Sequence, residues 1–69
     1  MLTLYQFNVL PDGERTNVLW NEGVCLDLFR EENQCKIVLY ALYSFYVEVW
    51  YGIVDNKIER LRSFSSTVH

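Results

Sequence analysis

Histidine occurs once in this chain, as His69, and that scarcity removes most of the familiar active-site chemistry. A serine or cysteine nucleophile needs a placed base, and a terminal histidine is seldom held in position. Nine residues separate Cys25 from Cys35, whereas zinc sites use close couples of ligands. The three glycines, Gly13, Gly23 and Gly52, stand apart, so there is no glycine-rich loop to cradle a phosphate. A carboxylate pair for acid–base work exists only as Glu48 with Asp27, and those residues fall on strands that are not neighbours. No catalytic residue, metal site or cofactor is therefore expected, and the chain reads as a non-enzyme. Two cysteines are too few for a disulfide scaffold of the secreted kind. Both lie in apolar runs, which suits small reduced thiols in a cytosol, with a bridge between neighbouring strands as the lesser alternative.

Other absences bear on location and partners. The N-terminus has no cationic region ahead of an apolar one, so no secretory signal is read there. The apolar run from Ile37 to Trp50 is broken by Ser44 and Glu48, and it is too short and too rich in tyrosine to span a bilayer. A soluble, cytoplasmic protein without a membrane partner is expected. Net charge is −3. The first 34 residues carry two arginines against six acids, while Lys36, Lys57, Arg60 and Arg62 face three acids in the remainder, so the first part is acidic and the last mildly basic. Nucleic-acid backbones demand many Lys and Arg contacts, and this balance argues against such a partner.

What the chain does have is apolar and aromatic surface. With 69 residues it is one domain, of a size that is marginal alone without dense packing or association. An apolar fraction of 51% and an aromatic fraction of 16% suffice for a core and exclude disorder. They also exceed what one small core readily hides.

Pattern and punctuation give the elements. In 3–10, Thr3 can cap a single helical turn with Leu4 and Phe7 facing inward, while the alternation of Leu2, Leu4 and Val9 reads as a strand; the short helix is preferred, since Pro11 resets the chain before a clear helix. That helix spans 11–22. Pro11 suits its first position, Asp12 and Glu14 favour the positive end of its dipole, and Val18, Leu19 and the stem of Arg15 form one face. Gly23 is expected to end it in a left-handed conformation. From Val24 the period becomes two. Strands are expected at 24–30, 35–42, 45–51 and 57–64, with turns at 31–34, at Tyr43–Ser44 and at 54–57, and a polar tail from Ser65. Short connections make sequential strands antiparallel neighbours. The expected fold is α+β: a helix packed on one face of a four-stranded antiparallel β-meander.

The strongest strand, 45–51, sets the candidate site. Phe45, Val47, Val49 and Tyr51 form the better core face, so Tyr46, Glu48 and Trp50 project from the other. Arg60 and Arg62, two residues apart, share a face of the adjacent strand and can pair with Glu48 across it. The ordinary reading is a partly exposed ion pair worth roughly 0–1 kcal/mol; the functional one is an aromatic-flanked acid in a binding patch. Tyr40, Tyr43, Tyr46, Trp50 and Tyr51 crowd two paired strands, and exposed aromatics on a sheet are enriched at interfaces. The leading expectation is a non-catalytic protein-interaction or self-association module, using Tyr46, Glu48, Trp50, Arg60 and Arg62 to bind itself or another protein. The alternative is small-molecule binding in a groove between helix and sheet, walled by Trp20, Cys25 and Tyr40. Stacking of single-stranded nucleic acid on the sheet ranks below both.

The stretches LWNEGVCL (19–26), LYALYSFYVEVWY (39–51) and KIERLRSFSST (57–67) resemble a group of small bacterial proteins to which no activity is assigned. That group has a proline-started helix ending in glycine, an FYVEV strand pair and a closing strand of the LRSF kind. The resemblance implies the same helix and strands and no chemistry. It also implies more prolines and acids in the two turns than this chain has, and a further helix or tail beyond the last strand.

Overall fold

The computed structural model describes residues 2–65. Thr3 caps α1 (Leu4–Asn8): its hydroxyl accepts from the Gln6 amide, and the Gln6 side chain accepts from the Thr3 amide, so two orphan donors are satisfied at once. Phe7 is the buried residue of this helix, and Leu4 packs beside the core it joins. The helix α2 (Asp12–Glu22) follows, with Pro11 one place earlier than expected, as its capping residue. Leu19 is fully buried, Val18 partly so, and Arg15 is held by Asp12 one turn back.

Gly23 ends α2 without going left-handed: its φ is −78° and ψ 153°. The chain runs straight into β1 at Val24, so an extended residue is what the exit needs. Glycine is required there for another reason: a Cβ would stand 2.5 Å from the Leu19 carbonyl oxygen.

Four strands then make one antiparallel sheet in the order β1 (Val24–Glu32), β2 (Cys35–Leu42), β3 (Phe45–Gly52), β4 (Ile58–Ser65). The α+β meander with N-terminal helices is thus the observed architecture. β1 is two residues longer than its expected span, because Glu31 and Glu32 pair with Lys36 and Cys35. The turn shrinks to Asn33 and Gln34, both at positive φ, the pairing a two-residue hairpin with type I′ twist requires. The alternation in β1 is also interrupted: Cys25 pairs with Tyr40 and Leu28 with Leu39, leaving Leu26 and Asp27 in a bulge, with Asp27 at φ 58°. Two extra residues preserve parity, so Val24 and Leu28 still share a face. β4 begins at Ile58 and takes in Ser65; the rest of the expected polar tail lies outside the described residues.

The register divides the sheet into two faces. Leu42, Phe45, Val47, Val49 and Leu61 point to the helices and close with Phe7 and Leu19 into one core. Here α1 sits over β4 and α2 over β2, and Asn8 meets Ser63 through their side chains. The thinnest dimension is 17 Å, which fits one helical layer on one sheet. Among the described residues, no element covers the opposite face.

Candidate functional site: the open face of the sheet

Cross-strand pairing lays out the open face in rows. Val24, Ala41, Tyr46 and Phe64 form one row; Leu28, Leu39, Glu48 and Arg62 the next; Arg30, Ile37, Trp50 and Arg60 the third. All five residues expected at the site, Tyr46, Glu48, Trp50, Arg60 and Arg62, therefore lie on this face. They do not lie at one depth. Glu48 is only 5% exposed and Trp50 8%, so they form the floor, while Arg60 and Arg62 are exposed and Tyr46 half-buried.

Glu48 is the hub. It accepts from Arg62 Nη1 at 3.3 Å, from Trp50 Nε1 at 3.3 Å and from Arg30 Nη1 at 3.0 Å. The Arg62 pair is the expected cross-strand one, but its acid is buried rather than partly exposed. Burial pushes the Glu48 carboxyl up, and the bonds and charges of Arg30, Arg62 and Trp50 more than offset it, leaving it below the usual carboxylate range. Arg30 was not anticipated. It stands on β1 and reaches across β2 to Glu48, with its Nε on Glu32 at 2.7 Å. Its side chain spans the strand that carries Ile37 and Leu39, and Ile37 is 2% exposed on a face no helix covers. Stems of arginine often shield apolar surface in this way. The signal for it in the sequence was the even spacing of Leu28, Arg30 and Glu32; what hid it was the register.

Both arginines of β4 lie on aromatic rings. The Arg60 guanidinium is 4.2 Å from the Trp50 ring centroid, and that of Arg62 is 5.7 Å from Phe64, which in turn stacks on Tyr46 at 5.7 Å. The aromatic patch is therefore smaller than the tyrosine count implies. Tyr40 and Tyr51 turn to the helix side and pack on the core, where burial, with Tyr51 adjacent, pushes the Tyr40 hydroxyl up to about 12. Tyr43 occupies the β2–β3 turn. The exposed apolar residues of the open face are Val24 and Leu28 instead.

A shallow cleft of about 300 Å³ opens beside the hub, lined by Leu28, Phe29, Arg30, Ile37, Leu39, Glu48 and Phe64. A second, of about 410 Å³, lies between the first turn of α2 and β4. At the seam between helix and sheet, Trp20 meets Tyr40 edge to face at 5.5 Å, and Cys25 is opposite Tyr40 in register. The three walls expected there are gathered, with Trp20 and Tyr40 in contact and Trp20 45% exposed. Cys25 and Cys35 are both free; they sit on opposite faces and opposite ends of the β1–β2 ladder, which excludes a bridge. Cys35 is buried, its thiol 3.3 Å from Glu59 Oε1, and burial together with that carboxylate pushes its pKa up. That is the opposite of an activated thiolate. Among the described residues no three His, Cys, Asp or Glu side chains gather as metal ligands, and no helix is long and apolar enough to cross a membrane.

The chain matches no family model, no curated protein and no solved structure.

Proposed function

We propose that this protein is a non-catalytic interaction module whose contact surface is the open face of the sheet. The observation that carries the reading is the hub itself. A carboxylate buried on an uncovered sheet face, bound by three donors from β1, β3 and β4, fixes exposed guanidiniums in place. Positioned arginines around aromatic floors are the residues that dominate protein interfaces. Exposed Leu28 and Val24 and half-buried Leu39 and Phe64 supply the apolar part. The occupant is a protein: a second copy or another chain. Two unpaired thiols support a reducing compartment, the cytoplasm.

Sedimentation velocity from about 10 μM to about 1 mM tests the face. Self-association abolished by Leu39→Lys, and untouched by Asn17→Lys on the helical layer, supports it. Association that ignores Leu39→Lys but yields to Asn17→Lys moves the surface to the helices and overturns the reading. A monomer throughout removes a second copy as the occupant.

A further inference from the structure

The charge on the open face is not evenly laid. Arg30 is shared between Glu48 and Glu32. On the β4 side, Arg62 has one ion-pair bond, at 3.3 Å, and Arg60 makes none among the described residues. A guanidinium has five N–H donors, so both present most of theirs outward. Each guanidinium is also backed by an aromatic ring, which leaves its edge available for a bidentate carboxylate. The two residues are two apart on one strand, so their spacing along it is about 6.6 Å. Phe64 continues the same line of positions along β4 and stacks there on Tyr46.

Resting on the reading of this face as a contact surface, we infer that its occupant is an extended acidic segment of another protein. That segment carries carboxylates at alternate positions, over Arg60 and Arg62, and a large apolar side chain two positions further on, over the stacked rings of Phe64 and Tyr46. Alternate side chains of any extended chain recur at about 6.6 Å on one side, so acids at i and i+2 match the arginines and i+4 falls over Phe64 and Tyr46.

A second copy docked face to face fits less well. With the two-fold axis along the strands, β1 lies over β4 and Arg30 over Arg60; with the axis across them, β4 lies over β4 and Arg60 over Arg62. In each of these two centred arrangements guanidinium faces guanidinium.

The test is a titration of isotope-labelled protein, followed by NMR, with the capped pentapeptide Glu-Thr-Glu-Thr-Leu. Its controls are Gln-Thr-Gln-Thr-Leu and the respaced Glu-Glu-Thr-Thr-Leu. The expected result is saturable shifts at Arg60, Arg62, Phe64 and Tyr46. Binding should be about 3–10-fold weaker for either control, weaker with added salt, about 2–5-fold weaker in Arg62→Gln and partly restored in Arg62→Lys. Equal binding of all three peptides, shifts confined to the helical layer, or no shift up to about 10 mM would overturn the inference. A face-to-face dimer broken by Leu39→Lys would also overturn it while leaving the broader reading intact; the failure of that reading shows separately, as association that follows the helical layer.

Discussion

Replacing Glu48 with glutamine keeps the shape of the side chain and removes its charge. In the native protein its two oxygens take Arg30 at 3.0 Å, Arg62 at 3.3 Å and Trp50 at 3.3 Å, with the residue 5% exposed. A glutamine has one acceptor oxygen, so its amide group must face one of these donors. Hydrogen bonds to charged groups are worth about 1.5–3 kcal/mol each. The arginine side chains are 51% and 56% exposed, so water replaces much of what they lose, and the sum is discounted accordingly. The expected cost of Glu48→Gln is about 1–2 kcal/mol. With a urea dependence near 1 kcal/mol per molar for so small a domain, the unfolding midpoint falls by about 1–2 M. Glu48→Met, apolar and of similar volume, lets the guanidiniums turn to water but leaves the buried Trp50 Nε1–H without its acceptor, so it should cost at least as much. A midpoint shift for Glu48→Gln under about 0.3 M would refute the reasoning, because it would mean that water already solvates the carboxylate and the hub does not position the arginines.

Three further outcomes follow from the geometry. A carboxyl whose folded pKa lies below its unfolded one contributes stability above the unfolded value and loses it as pH falls through the folded one; stability should therefore drop below about pH 4.5, and Glu48→Gln should flatten that drop in an acid titration followed by far-ultraviolet dichroism. Tyr43 holds φ 55° as the first of two turn residues, where a side chain costs about 1–2 kcal/mol and glycine's entropy takes back 0.5–1; Tyr43→Gly should raise stability by about 0.5–1 kcal/mol in urea unfolding, and a loss would show that the Tyr43–Phe45 contact at 6.4 Å outweighs the strain. Alanine at the two helix glycines should act in opposite senses: Gly13→Ala meets nothing within 4 Å and should stabilise by about 0.5–1 kcal/mol, whereas Gly23→Ala meets the Leu19 carbonyl at 2.5 Å and should destabilise by about 1–3 kcal/mol, and melting temperatures moving the same way would contradict this.

Most of the fold was legible because its signals are local. Thr3 as a cap, Pro11 with Asp12, the change of period at Val24 and the turns at 31–34, 43–44 and 54–57 each act within a few positions, and the structure uses them, with the first turn narrowed to 33–34. The face of β3 that carries Tyr46, Glu48 and Trp50 was legible for the same reason, since alternation alone sorts it from Phe45, Val47 and Val49. Depth was not. Whether Glu48 lies in water or under two arginines depends on which residues of β1 and β4 stand beside it, and that follows from register. The bulge at Leu26–Asp27 shifts β1 by two residues against β2 and sets Arg30 where it can reach Glu48. Because two residues preserve parity, the alternating pattern carries no trace of it. Gly23 shows the same limit in miniature: glycine after a helix suggests a left-handed exit, yet its role here is the close approach to Leu19, which only the packed structure displays.

Whether the open face is the surface that meets a partner is read directly by site-specific photo-crosslinking. A benzophenone side chain placed at Leu28, exposed on the open face, is compared with one at Asn17, exposed on the helical layer, in cells that make the protein. The prediction is a discrete protein adduct from position 28 that Arg62→Gln diminishes, and none from position 17. Adducts from position 17 alone, or from neither position, would contradict it.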